Sequence, residues 1–260
     1  MPNAHGSPIW YELLTTDPQG AKAFYDAVIG WNIGPQPPGE RDYRMIVTAD
    51  GSNVGGMMPL SREMVAGGAR ATWMIYIGVE NVDAAVEKVT AAGGSVQMPA
   101  FDIPDVGRLA MVADPQGNPF YVMRGASEEN STAWERMGMG KCNWNELSTA
   151  DPEAARAFYA EVFGWTYPGK MEMPGDLGDY VFVEVAGETI GATMKTSETQ
   201  PPGWLFYFRA PDIAAASEAV KAGGGTVLQQ PMEVPGGDMV LVARDPHGVP
   251  FGIAAPAKAG

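Results

Sequence analysis

The chain has 260 residues, and 45% of them are hydrophobic, which is enough to bury one or two sizeable cores and gives no sign of a disordered or fibrous protein. Its 17 Lys and Arg residues face 31 Asp and Glu residues, so the formal net charge at pH 7 is −14. Because this charge repels phosphate backbones and anionic bilayers alike, we expect neither nucleic acid nor membrane as a partner.

The chain start and the cysteine content bear on the compartment. Residues 1–6 contain neither a basic patch nor an apolar core of signal-peptide length, and no run approaches the roughly 18 apolar residues of a membrane helix. The single cysteine, Cys142, can form no internal disulfide, which is typical of a reducing compartment. We therefore expect a cytoplasmic protein.

The first half alternates strand and helix signals. Asp17 followed by Pro18 predicts the start of a helix that Gly30 ends, and a second helix begins near Asn81 and stops at Gly93. Runs with strand character occupy residues 9–14, 43–48, 53–59, 72–79 and 120–123, with two more that begin near 96 and 108. The predicted order is strand, helix and up to three strands, twice in succession.

The second half repeats the first. The segment WYELLTTDP from Trp10 returns about 134 residues later as WNELSTADP from Trp144. The pair FY followed by GW and the turn DPxGxPF also recur, at Phe24 and Phe158 and at Asp114 and Asp245. A chain duplicated in this way is expected to carry one fold twice. We predict a first domain at 1–125, a polar linker at 126–140 and a second domain at 141–260.

These motifs resemble the vicinal-oxygen-chelate superfamily of glyoxalases, bleomycin-resistance proteins and extradiol dioxygenases, most of all its two-domain bacterial glyoxalase-like members. The resemblance covers nearly the whole chain and implies an α+β fold of four βαβββ units. By that analogy each pair of units surrounds one cup, so the chain has two cup-shaped subdomains.

The resemblance also implies where a metal would be held. Its ligand positions fall on Trp10, Met74 and Tyr121 in the first half and on Trp144, Leu205 and Gly252 in the second. None of these is His, Asp or Glu, although three or four convergent ligands are the usual minimum. The two histidines, His5 and His247, lie in the leading tail and in a turn. We therefore expect no metal and no other cofactor.

One carboxylate remains in each cup. Side chains alternate along a strand, so Glu12 shares the inward face with Trp10, and Glu146 shares it with Trp144. An apolar wall would raise the pKa of such a carboxyl, which could then act as a general acid or base. The competing interpretation is that both glutamates are hydrogen-bonded and stabilise the sheet.

The same alternation predicts the residues that would touch a ligand. They are Trp10, Met74, Tyr76, Tyr121 and Met123 in the first cup and Trp144, Leu205, Tyr207 and Arg209 in the second. Aromatic and methionine side chains suit a flat or apolar small molecule. Arg209 has Gly78 as its counterpart, so an anionic group is a further option in the second cup.

Three functions are compatible with this pattern. The first is a metal-free cup that binds a small aromatic or apolar molecule, as bleomycin-resistance members do. The second is a metal-independent lyase, isomerase or hydrolase that uses Glu12 or Glu146 as general acid or base. The third is a scaffold that acts through protein contacts. We expect a small-molecule partner, with a homodimer as an open alternative.

Overall fold

The computed structural model describes residues 3–39, 42–175, 178–197 and 201–257. In the first half the elements are β1 (Pro8–Thr15), α1 (Pro18–Ile29), β2 (Asn32–Ile33), β3 (Arg44–Val47), β4 (Asn53–Pro59), α2 (Arg62–Ala66), β5 (Thr72–Gly78), α3 (Val82–Ala91), β6 (Ser95–Ile103), β7 (Gly107–Ala113) and β8 (Pro119–Gly125). In the second half they are β9 (Cys142–Thr149), α4 (Pro152–Phe163), β10 (Lys170–Glu172), β11 (Asp179–Val185), β12 (Glu188–Lys195), β13 (Gly203–Arg209), α5 (Ile213–Ala222), β14 (Thr226–Glu233), β15 (Met239–Arg244) and β16 (Pro250–Ala255).

Each half forms one eight-stranded mixed sheet. The strand orders are β2-β3-β4-β1-β5-β8-β7-β6 and β10-β11-β12-β9-β13-β16-β15-β14, so the same topology occurs twice. Strand β1 runs parallel to β4 and β5 runs parallel to β8, whereas the hairpin neighbours pair antiparallel. The fold is α+β, with two repeated halves and four βαβββ units, as the sequence predicted.

The helix ends follow the caps read from the sequence. The Asp17 side chain accepts a hydrogen bond from the Gly20 backbone amide, and Gly30 ends α1 with φ 83°. Asp151 and Gly164 occupy the same positions around α4. The short helix α2 was not predicted from the sequence, because it spans five residues, buries none of them and therefore has no apolar periodicity.

One face of each sheet carries the helices. On this face Tyr11 of β1 contacts the rings of Phe206 and Phe208, and Trp73 of β5 contacts Tyr25 of α1. Side chains alternate along a strand, so Trp10, Glu12 and Met74 lie on the opposite face. We call that opposite face the inner face. Within the described residues, no helix is long and apolar enough to cross a membrane.

The described chain divides into two compact lobes that differ from the two sequence halves. Lobe I combines residues up to 9 with 74–131 and 144–204, and lobe II combines 10–73, 132–143 and the chain from 205 onward. Helix α3 packs on α4 within lobe I, and α1 packs on α5 within lobe II. The predicted division at 126–140 therefore describes the sequence repeat, whereas each lobe is assembled from both repeats.

The segment predicted as a linker, residues 126–140, has defined structure in its C-terminal part. Ala133 and Gly140 are buried, and Trp134 forms a bridge with Cys142. The Trp31 indole nitrogen donates to the Gly140 carbonyl at 2.6 Å. Residues 126–130 are exposed, so only the first part of the segment has the character expected of a linker.

Candidate functional site

The repeated FY and DPxG motifs meet in a buried cluster in each lobe. In lobe II the Tyr25 hydroxyl contacts the Asp245 carboxylate at 3.2 Å, and the Trp73 indole nitrogen donates to the same hydroxyl at 3.1 Å. In lobe I the Tyr159 hydroxyl contacts the Asp114 carboxylate at 3.2 Å. Helix and turn come from different sequence halves each time, so these motifs join the halves and do not line the inner face.

Burial controls the titration of these groups. Removal from water raises the pKa of Tyr25 and of Tyr159 well above 10, and the neighbouring carboxylates Asp245 and Asp114 add to this. Burial also raises the pKa of Asp245, although backbone amides of Val249 and His247 that donate to it oppose the shift. The hydroxyls of Tyr25 and Tyr159 are therefore neutral, and both side chains serve the packing of the core. Trp31 and Trp165, at the ends of α1 and α4, are buried as well.

The inner face of β1 and β9 begins with a tryptophan bonded to a tyrosine. Trp10 donates its indole N–H to the Tyr43 hydroxyl at 2.8 Å, and Trp144 donates to the Tyr180 hydroxyl at 2.6 Å. Each tryptophan is the one residue of its strand that is not buried. Tyr43 and Tyr180 are also partly exposed. Both halves thus present the same accessible pair of rings.

The two glutamates lie beside these pairs and are deeply buried. Glu12 is 2% exposed and Glu146 is 4% exposed. The Tyr180 hydroxyl donates to Oε2 of Glu146 at 2.7 Å, which extends the Trp144 contact into a chain of two hydrogen bonds. The tyrosine therefore links the exposed indole to the buried carboxylate.

Tyrosine rings cover the inner face of the neighbouring strands. In lobe I, Tyr76 of β5 stacks on Tyr121 of β8 with ring centroids 4.3 Å apart. In lobe II, Tyr207 of β13 is opposite Gly252 of β16, and a Cβ built on that glycine would approach the tyrosine ring to 2.2 Å. Of the other predicted ligand contacts, Met74 and Leu205 are buried and Met123 is partly exposed.

Arg209 has a protein partner that the sequence did not reveal. Its guanidinium binds both oxygens of Asp238, at 2.7 and 2.9 Å, and its side chain is 2% exposed. The backbone amide of Gly140 donates to the Arg209 carbonyl, which fixes the strand end. A bidentate carboxylate satisfies the planar fork of a guanidinium, so an anionic ligand would have to compete with Asp238.

The family follows from comparison with known proteins. The model of the Glyoxalase/Bleomycin resistance protein/Dioxygenase superfamily matches residues 8–122 and 141–253, which is one match for each sequence half. The chain belongs to this superfamily. A protein named putative glyoxylase CFP32 from Mycobacterium tuberculosis is 34% identical over 97% of this chain and 95% of its own length. The anthracycline biosynthesis protein DnrV from Streptomyces peucetius is 30% identical over 99% of this chain and 98% of its own.

Solved structures of the superfamily share the fold over nearly the whole chain. The 2,2',3-trihydroxybiphenyl 1,2-dioxygenase from Sphingomonas wittichii RW1 superposes with a TM-score of 0.68 at 16% identity, covering 97% of this chain and 91% of its own. The Mn(II)-bound glyoxalase from Novosphingobium aromaticivorans gives 0.66 at 17% identity, covering 98% and 84%. At these identities the likeness describes fold alone.

The side chains at the superfamily's metal positions do not fit a divalent ion. Trp10 and Trp144 offer an indole that only donates hydrogen bonds, and Met74 offers a weak thioether acceptor. At the third position, Tyr121 is stacked against Tyr76 in the first half, and the ring of Tyr207 occupies the space beside Gly252 in the second. Across the described parts of the chain, no group of three or more His, Cys, Asp or Glu side chains is placed to hold a metal.

Three inner-face rings were missed by the sequence analysis. Tyr43 lies directly before β3, and Tyr180 and Phe182 lie on β11, outside the strands from which the inward residues were counted. The repeat contained a usable signal, since Tyr43 and Tyr180 occupy corresponding positions. Their contacts with Trp10 and Trp144 span 33 and 36 residues, and strand periodicity does not determine a pairing over that distance.

Proposed function

We propose that this protein binds a small aromatic or apolar molecule on the inner face of its sheets without a metal ion. The observation that carries the proposal is the Trp–Tyr pair at the position of the first metal ligand, joined at 2.8 Å in the first half and 2.6 Å in the second. A partly exposed indole beside a phenol offers stacking surface and a polar edge, the usual composition of a small-molecule site.

Charge and relationship support the same ligand class. A formal charge of −14 favours neutral or cationic compounds over anions, and Arg209 is already paired with Asp238. Two relatives are named anthracycline biosynthesis proteins, one of them 30% identical to this chain. Anthracyclines are therefore reasonable first probes.

A second candidate function is a metal-independent lyase, isomerase or hydrolase. It is favoured by the hydrogen bond from the Tyr180 hydroxyl to Glu146 at 2.7 Å, because a phenol next to a buried carboxylate can pass a proton to or from a bound carbonyl compound. Glu12 occupies the corresponding position in the first half. In this case the glutamates act as general acid and base.

One experiment separates these functions. Protein treated with EDTA and dialysed is titrated calorimetrically with 2-naphthol and with an anthracycline, and mass spectrometry follows the compound afterwards. We expect saturable binding that EDTA does not change, and well under one transition-metal ion per chain by elemental analysis. A tightly bound ion whose removal abolishes binding would contradict the proposal.

The variants Glu12→Gln and Glu146→Gln test the second candidate. The amide keeps the shape of the side chain and an oxygen acceptor but removes the charge. Loss of turnover with unchanged binding supports acid–base catalysis. A purely structural glutamate is indicated by unchanged binding together with a lower melting temperature. The lower melting temperature would reflect the cost of a mismatched buried hydrogen bond, about 1–3 kcal/mol in the free energy of unfolding.

A further inference from the structure

The rings of Trp144 and Tyr180 form one surface of two parallel rings. Their ring planes are parallel within 6°, and the bond that joins their edges, from Nε1 to Oη, is 2.6 Å long. Because this bond connects atoms that lie in the two ring planes, the planes are offset by no more than about its length. Rings that overlap face to face need about 3.5 Å between their planes. The two rings therefore lie side by side, which fits their centroid separation of 6.5 Å.

Phe182 stands upright beside this surface. Its ring makes angles of 80° with Trp144 and 83° with Tyr180, and its centroid is 6.2 and 6.1 Å from theirs. The nearly equal distances place Phe182 about equally far from the two rings. All three side chains are partly exposed. We call the three residues together the aromatic platform, with Phe182 as its wall.

Hydrogen bonds hold the platform in position. The Tyr180 hydroxyl accepts from the Trp144 indole and donates to Glu146, so the phenol is fixed from both sides. Glu146 is 4% exposed and pairs in register with Ala192 of β12, which anchors it within the sheet. A stacking surface that is already ordered loses little side-chain entropy when a ligand binds.

The first half has the same pair without the wall. Glu12 is in register with Gly56, which is in register with Met45 on the next strand. In the second half, Glu146 is in register with Ala192, which is in register with Phe182. Met45 is therefore the counterpart of Phe182, and it is 38% exposed. Its flexible side chain offers no upright ring.

We propose that the aromatic platform of the second half is the binding site for a planar, fused-ring aromatic molecule that spans Trp144 and Tyr180 and abuts Phe182. Two parallel rings that lie side by side match a ligand of two or more fused rings better than a single ring. Glu146 is a positioning residue that acts through Tyr180. This inference rests on the function proposed above and narrows it to one ligand class and one half of the chain.

The test uses the full chain and three calorimetric probes: phenol, 2-naphthol and decahydro-2-naphthol, the saturated, non-planar form of 2-naphthol. We expect 2-naphthol to bind more tightly than both others. The variant Trp144→Leu weakens 2-naphthol binding about tenfold or more, the effect of losing one aromatic stacking partner. Tyr180→Phe, which keeps the ring but loses both hydrogen bonds of the hydroxyl, weakens 2-naphthol binding several-fold. Glu146→Gln keeps an oxygen that can accept from the Tyr180 hydroxyl, so it weakens binding less than Tyr180→Phe does.

Further variants keep the test informative if one of these variants folds poorly. Phe182→Met places the first-half residue at the wall and is expected to reduce the preference for 2-naphthol over phenol. Met45→Leu is the first-half control and is expected to leave 2-naphthol binding unchanged, and Tyr43→Phe measures how much of the binding occurs in the first half. Thermal melts verify the fold of each variant.

The outcomes distinguish this inference from the proposed function. Equal affinity for 2-naphthol and decahydro-2-naphthol, or losses only in the first-half variants, would overturn the platform and leave the binding of apolar molecules intact. Absence of binding by all three probes and by the anthracycline would overturn both. A planar preference that Trp144→Leu and Phe182→Met both abolish supports the platform.

Discussion

At the scale of single residues, buried tyrosines make the protein sensitive to alkaline pH. Tyr25 and Tyr159 are buried and contact carboxylates, and burial raises the pKa of each above 10. The unfolded chain ionises its tyrosines near pH 10, whereas the folded chain keeps these two neutral. The stability they contribute is therefore complete below pH 10 and falls as the pH rises from there toward their folded values.

The variant Tyr25→Phe tests this effect. At pH 8 it should cost about 1–3 kcal/mol, because it removes both hydrogen bonds of the hydroxyl and leaves the buried Trp73 N–H without this acceptor. Above pH 10 its free energy of unfolding should fall less steeply than that of the wild type, because one shifted group has been removed. Urea unfolding at pH 8, 10 and 11 measures both slopes. Parallel slopes for the two proteins would show that Tyr25 ionises equally in the folded and unfolded chains.

At the scale of secondary-structure elements, glycine permits the close approach of paired strands. Gly55 of β4 is in register with Tyr11 of β1, and a Cβ at this position would lie 1.8 Å from the Tyr11 carbonyl oxygen. Gly191 of β12 has the same relation to Asn145 of β9. Backbone cannot move aside as a side chain can, so these parallel pairs require glycine on β4 and β12.

We expect Gly55→Ala to destabilise the protein by about 1–3 kcal/mol, the usual cost of overpacking, because β4 must move away from β1. Gly125→Ala is the control, since a Cβ there meets nothing within 4 Å and its φ is not in the left-handed region. Chemical denaturation of both variants provides the comparison. Equal stability of the two would mean that the strands tolerate the added carbon.

At the scale of the whole molecule, the packing units cross the sequence repeat. Phe24 and Tyr25 of α1 contact the ring of Phe251 in lobe II, and Phe158 and Tyr159 of α4 contact the ring of Phe120 in lobe I. Each half thus supplies helix residues that are buried by a strand of the other half. A half on its own would expose these rings to water.

We expect residues 1–130 and 131–260, expressed separately, to be unfolded or aggregated, and to recover native structure when they are coexpressed. Near-ultraviolet circular dichroism and heat-capacity measurements on the single halves and on the mixture test this. A cooperative thermal transition in an isolated half would contradict it. Coexpressed halves carrying Phe251→Ala and Phe120→Ala, which remove both cross-half ring contacts, are the control and should associate less stably.

The sequence alone determined the local and periodic features. Asp17, Gly30 and their counterparts fixed the helix ends, the repeat fixed the four βαβββ units, and strand alternation placed Trp10 and Glu12 on one face. The side chains at the superfamily's metal positions could also be read directly. These features depend on neighbours close in the chain or on a repeat within it, which a one-dimensional pattern records.

Only the tertiary structure decided which distant residues meet. The partners Tyr180 for Trp144, Asp238 for Arg209 and Asp245 for Tyr25 lie 36, 29 and 220 residues away. Strand alternation says which face a side chain occupies but not which strand lies beside it, and several aromatic or acidic residues suit each position equally. Chain packing selected among them, and in doing so it created the aromatic platform and assigned Arg209 an internal carboxylate.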